Sequence, residues 1–390
     1  MALRGLRAFR VSPNGRGHVA GDNTGRYGRA WTKCTNLALD LLTELVAERS
    51  SLQGARITAE NVSDVLAVLE QLRTFHGIFP EFIKLEGSVH AEVKAGAVRY
   101  SSIDSAWVTV ALSIAEARYR AERPDLAQRA SELLRRQDYS VLVEGRRLLG
   151  FVSIDALSGA VLERARFAYG DRNSEARPLV LALTGLGKLP ASIWDEMRYS
   201  WTLRDGLPVA SGYGASAFVE LSGQLFFDEM TLAPKSLGLS HENYVKASAQ
   251  VAHQRHHSIW GYAPSCAASE RYAEFGLDNP DVVAPYAAAL LATTRVPLAA
   301  SNLERVFAAL DWSGAPFADS LDPVSQRALC AEARMLDQSL LFLSLNVDAL
   351  RELSRRTSWY ASAEARLRDM DRTHAPELNS VAVSSEVYRK

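Results

Sequence analysis

Between residues 37 and 345 the chain repeats one pattern: a stretch with apolar residues at helical spacing, a connection, then another such stretch. The stretches are 37–46, 62–72, 103–117, 126–134, 156–167, 178–186, 217–227, 244–252, 282–292, 303–310 and 328–345. Only 139–143 and 147–152 read as short strands. Pro124, Pro280 and Pro323 stand where a helix tolerates proline, near its start, and Ser240, Asn279 and Asp322 are placed as caps. About a dozen helices with no fixed repeat period predict an all-α chain but not a solenoid. Helices in sequence, separated by the long connections 77–102, 199–216, 255–281 and 312–323, suggest an (α/α)6 barrel with a site built by its loops. No linker divides the chain, so residues 1–390 read as one domain, with 1–30 as an N-terminal arm and 373–390 as a polar tail.

Composition narrows the function. A formal net charge of -1 supplies no basic field for nucleic acid or an anionic membrane. No stretch reaches the ~20 apolar residues of a membrane span. The N-terminus spreads its basic residues through a segment without an apolar core, so it does not read as a signal peptide as it stands. The expected compartment is therefore either the cytoplasm or, for a processed form, the periplasm or exterior. Cys34, Cys266 and Cys330 are far apart and odd in number, which predicts reduced, buried thiols.

Cofactor motifs are missing. The glycines of GRYGRA (25–30) and GYGAS (212–216) match no phosphate-binding loop, and Ser216 and Ser222 lack a nucleophile elbow. HQRHH (253–257) lacks the H-E-x-x-H arrangement and reads as an exposed basic face or as sugar-contacting histidines, with no metal expected. The connections are instead rich in aromatic and acidic residues: Tyr100, Trp107, Trp260 and Phe317 beside Asp104, Glu270 and Asp319. Sugar rings offer apolar faces to aromatics and hydroxyls to carboxylates, so this mixture suits a carbohydrate cleft. Three acids adjoin strongly apolar helices: Asp104, Glu175 and Asp337. A carboxylate so placed is costly unless paired or used.

Several motifs resemble, in order, those of bacterial glycoamylase-like domains, a group that includes endo-β-1,2-glucanases and the transglycosylase domain of cyclic β-1,2-glucan synthases. They are CTNLALDLL (34–42), YSSIDSAW (100–107), NSEAR (173–177), GYGASAFVELSGQLFFDE (212–229), WGYAPSCAASERYAEFGLD (260–278), VVAPYAAALLA (282–292) and LDQSLL (336–341). The resemblance implies an (α/α)6 barrel and hydrolysis of a β-linked glucan, with β-1,2-glucan or its oligosaccharides as substrate. It assigns Glu175 as general acid and Asp337 as base, and places Asp104, Asn36, Arg177 and Gln338 at the sugar. The residue reading adds Tyr100, Trp107, Glu220, Trp260, Glu270, Phe317 and Asp319 as contacts. Val219 stands where relatives carry glutamate, with Glu220 one position late, and Pro264 and Ser265 replace a glutamate of synthase-type relatives. These departures favour inverting hydrolysis over transglycosylation. They also leave two alternatives: action on another bacterial exopolysaccharide, or glycan binding by a drifted catalytic pair.

Overall fold

The computed structural model describes residues 2–11, 19–22, 31–85, 89–269, 271–310, 317–330 and 333–376. Helices dominate, and they divide into two kinds. Cys34–Arg49, Ser102–Tyr119, Ala176–Gly185, Pro285–Ala292 and Met335–Leu345 are buried on nearly every face. Residues 34–47 are buried without a break. Ala55–Gln71, Pro124–Arg136, Leu239–Gln254, Pro297–Ala309, Val347–Arg355 and Tyr360–Thr373 present an apolar stripe inward and charge outward. A helix apolar all round must be enclosed by others, while an amphipathic one covers a core, so the two kinds form an inner and an outer layer.

The inner helices pack on one another in order. Cys34–Arg49 lies against Ser102–Tyr119, which lies against Ala176–Gly185, and Pro285–Ala292 lies against Met335–Leu345. Met335–Leu345 in turn contacts Cys34–Arg49, and the short Ala217–Leu221 helix contacts Pro285–Ala292. Small residues permit the close approaches. Gly261, at φ 140°, meets the backbone of Ala288, where a β-carbon would come within 2.8 Å.

The long connections are not structureless. Trp31–Lys33 pairs with Phe82–Lys84, Ala97–Ser101 with Phe151–Asp155, Trp201–Arg204 with Leu207–Ala210, and Ser265–Cys266 with Tyr272–Ala273. One expected helix, 156–167, is instead a turn and the strand Val161–Arg164. Asp155 Oδ1 accepts from the Ser158 N–H and hydroxyl, both at 2.7 Å, and Gly159 takes φ 74°. This turn chemistry overrides the apolar spacing. The cysteines also depart from expectation. Cys266 and Cys330 form a disulfide that ties the 265–273 hairpin to the segment before Met335–Leu345, and only Cys34 is a free thiol among the described residues. Their sequence separation of 64 conceals this proximity.

The arm expected over 1–30 lies partly outside the described residues, but its described part is integrated. Phe9 is fully buried. Arg10 pairs with Asp40 at 3.0 Å and with Glu44, neutralising two acids in the innermost helix. Of the polar tail, residues 377–390 lie outside the described residues.

Candidate active site

The acids collect where the inner helices begin. Asp104 is in the first turn of Ser102–Tyr119, Asp337 in the first turn of Met335–Leu345, and Glu175 immediately precedes Ala176–Gly185. Lys33 is the residue before Cys34–Arg49. Unpaired N–H groups make a helix start favourable for negative charge, which explains why carboxylates can be kept in so apolar a setting.

Asp104 is the ionised member. Its N–H donates to Ser101 Oγ at 3.3 Å, and Thr35 Oγ1 donates to its Oδ1 at 2.5 Å. Lys33 Nζ lies 3.7 Å from it and 3.5 Å from Glu81. Burial works against the charge, but Lys33 and these hydrogen bonds outweigh it and hold Asp104 below the usual carboxylate range. Glu175 is the opposite case. Its pKa is pushed up to about 7, first by burial and then by the charge of Asp104, with Lys33 only partly compensating. The Tyr169 hydroxyl lies 3.4 Å from Glu175 Oε1. A carboxyl held charged and one that keeps its proton to about pH 7 therefore act on each other across adjoining helix starts, which is how one site separates the roles of two acids.

Asp337 and Asp319 form a second acidic centre. Both are almost fully buried, and both are raised above the ordinary aspartate range, by burial first and, for Asp337, next by Asp319. Asp319 Oδ1 accepts from the Arg334 N–H at 2.9 Å and from Gln338 Nε2 at 3.3 Å. Ser265 Oγ is 3.3 Å from Asp337 Oδ2 and 2.9 Å from the Asp319 carbonyl oxygen. Asp337 Oδ1 and Asp319 Oδ2 have no hydrogen-bond partner among the described residues. Arg334 stacks 4.5 Å from the Tyr272 ring centre. Tyr272 keeps 40% of its surface exposed, while its phenol end is desolvated and so driven up, and next raised by Asp337 and Glu274.

The remaining expected contacts divide. Asn36 donates to Asp22 Oδ1 at 2.9 Å, and Gln338 bonds both backbone groups of Phe317, so these three belong to the walls around the Asp319–Asp337 centre. Tyr100 and Trp107 are buried side chains packed beside Phe75 and Phe226, and the buried Trp260 has its backbone clamped by Asn302. Helical and strand geometry turns these three rings into the core instead of toward a cleft. Glu270 lies outside the described residues.

Arg177 is completely buried, and all five of its donors are engaged by Glu229, Asn173 and the carbonyls of Arg172 and Glu220. Glu220 faces inward too, accepting from Asn173 at 2.7 Å and Ser240 at 2.5 Å. His241 joins Glu220 to Glu229, at 2.9 Å on each side. Burial opposes a proton on His241, but the two glutamates outweigh it and raise its pKa. The expected sugar contacts Arg177 and Glu220 are thus parts of an internal ion network that braces the 172–173 backbone just before Glu175.

Sequence reasoning missed Lys33, Tyr169, Ser265 and Arg334. Lys33 adjoins the CTN motif and was within reach of a charge argument. Tyr169 and Arg334 lie six and three positions from Glu175 and Asp337 but carry no motif of their own, and Ser265 reaches Asp337 only through packing across 72 positions. Among the described residues, no group of His, Cys, Asp or Glu is arranged to hold a metal ion, and the 253–257 histidine run is largely exposed.

No family model matches the sequence, and no curated protein matches it either. Solved structures do. A candidate glucoamylase of Bacteroides fragilis is 15% identical over 94% of both chains, with a TM-score of 0.77. An endo-β-1,2-glucanase of Chitinophaga pinensis, complexed with sophorotriose and glucose, is 13% identical over 94% of this chain and 96% of that one, at 0.75. An endo-β-1,2-glucanase mutant of Talaromyces funiculosus with β-1,2-glucan is 12% identical over 95% and 92%, at 0.72. The chain has the fold shared by these glucoamylase-like and endo-β-1,2-glucanase structures, as its ordered motifs led us to expect.

Proposed function

We propose that the protein is a glycoside hydrolase that cleaves β-1,2-glucan or its oligosaccharides with inversion, and that its inner helices close the inner ring of an (α/α)6 barrel. The observation that carries this reading is the pairing of Glu175, neutral up to about pH 7, with the ionised Asp104 at adjoining helix starts. A glycosidic oxygen needs a proton donor at the pH where the enzyme works. Glu175 donates that proton as the C1–O bond breaks. A water oxygen bonds to C1, and its proton passes to the coupled Asp319–Asp337 pair in the state where Asp319 holds the one shared proton and Asp337 is ionised. Asp337 Oδ1, lacking an internal partner among the described residues, is the accepting atom. Asp104 and Lys33 take sugar hydroxyls. The complexes of the structurally similar proteins with β-1,2-linked glucans support the choice of linkage.

The test is reducing-sugar release from linear β-1,2-glucan by wild type and by Glu175→Gln. Loss of the acid should lower kcat by about 10²–10⁴-fold. Wild-type activity should also fall as pH rises through about 7, where Glu175 gives up its proton. Equal rates for the two proteins would leave Glu175 a helix-start acid only. Binding without cleavage by wild type would make the protein a glycan-binding module.

A further inference from the structure

Beside the Glu175–Asp104 pair lies a row of rings that the mechanism above does not use. Tyr169, in contact with Glu175, is 6.0 Å from Phe167, centre to centre, and Phe167 is 6.2 Å from Phe151. Arg99 lies between Phe151 and Phe82, with its guanidinium carbon 5.0 and 5.3 Å from the two ring centres. Trp31 stacks on Phe82 at 5.2 Å, and Lys33, the partner of Asp104, lies 5.1 Å from the same ring. Both ends of the row therefore return to the acids. Arg99 is fixed through the buried Glu81, which takes its Nε and, at 2.7 Å, a second guanidinium nitrogen.

These rings are not ordinary core. Phe167 is 56% exposed, and Trp31, Phe82 and Phe151 are only partly covered. Phe167 is also deliberately seated. It lies over Gly150, where a β-carbon would come within 2.2 Å of the ring, and Gly150 N–H donates to the Phe167 carbonyl at 3.1 Å. The glycine holds one side of the ring and leaves the rest to solvent. Exposed rings interleaved with a pinned guanidinium and an ammonium match a ligand with apolar faces and a hydroxylated edge. An apolar protein surface would not call for Arg99 and Lys33 between the rings, nor for a row anchored on a proton donor.

We propose that the exposed face of Phe167, held edge-on by Tyr169 and Phe151 with Arg99 alongside, stacks on a glucose unit of the chain beyond the one at Glu175. This rests on the glucan reading above. Phe167 is 6.0 Å from Tyr169, which touches Glu175, so its free face meets a sugar beyond the one at the acid, while Phe151 and Phe82, covered by Arg99, Lys33 and Trp31, hold the ring's surroundings in place. Affinity should then depend on chain length.

The experiment is calorimetric binding of linear β-1,2-gluco-oligosaccharides, from disaccharide to pentasaccharide, to the full chain carrying Glu175→Gln. β-1,3- and β-1,4-linked sets are run beside them. Phe167→Ala, Phe151→Leu and Phe167→Trp are each added to that background. Phe167→Ala should weaken binding of tri- to pentasaccharide about tenfold and leave the disaccharide unchanged, Phe151→Leu should weaken it less by loosening the ring it touches, and Phe167→Trp should retain the parent affinity. If the parent binds and the ring variants bind equally at every length, the subsite is overturned while the glucan reading stands. If the parent binds no oligosaccharide of any linkage, both fall.

Discussion

Glu175 illustrates the cost of placing a reactive acid in a packed site. A carboxyl with a folded pKa of about 7, above the ordinary 4.5, holds its proton more tightly folded than unfolded. Below the ordinary value both states are protonated and nothing is lost. As pH rises through the interval between the two values, ionisation is resisted in the folded state, and stability falls by about 1.4 kcal/mol per unit of pKa difference. Glu175→Gln should therefore leave the melting temperature unchanged at about pH 4 and raise it at about pH 8, a shift that paired thermal melts would detect. Asp104 has the opposite sign, since Lys33 and Thr35 favour its charge. The same two residues that Glu175 feels most strongly, Asp104 and Lys33, thus set which acid is neutral.

At the scale of elements, the site depends on connections being held rigidly against helix starts. The Cys266–Cys330 bond does this for the 265–273 hairpin, whose Ser265 reaches Asp337. Closing a loop with a sequence separation of 64 contributes about 4 kcal/mol in the chain-entropy account. Cys266→Ser should lower the melting temperature under non-reducing conditions and reduce kcat by loosening Ser265, and added reductant should reproduce both effects on wild type without altering the variant. The Arg177–Glu229–His241–Glu220 network serves the connection into Ala176–Gly185 in a similar way. It anchors Asn173 and the Arg172 carbonyl, two and three positions before Glu175.

Across the whole molecule, the described part of the N-terminal segment acts as a keystone. The helix Ala2–Arg7 contacts Met335–Leu345, Phe9 is fully buried, and Arg10 neutralises Asp40 and Glu44 of Cys34–Arg49. It therefore braces the two inner helices where the last meets the first. Phe9→Ala should destabilise the protein by about 3–5 kcal/mol, measured by denaturant titration, because it opens a cavity at that junction. Deleting residues 2–11 should cost more, since it also strands the two buried acids.

Much of this organisation was legible in one dimension. Helical periodicity located most of the buried and amphipathic helices, because the requirement to enclose apolar surface is written locally in residue spacing. Apolar runs that begin with an acid marked Asp104, Glu175 and Asp337, since an expensive carboxylate stands out against such a background. The ordered motifs pointed to the fold that the solved structures share. Two charged helices, Val347–Arg355 and Tyr360–Thr373, were missed because their apolar stripes are narrow, and the 156–167 hairpin was misread because Asp155, Ser158 and Gly159 dictate a turn. Which way each side chain faces was decided only by tertiary packing. Packing sent Tyr100, Trp107 and Trp260 into the core, closed Arg177 and Glu220 into an internal network, joined Cys266 to Cys330, and set Asp319 beside Asp337. Spacing along a chain determines periodicity and local turns; protonation states and long-range partners depend on the dielectric and the charges that folding gathers from residues distant in sequence.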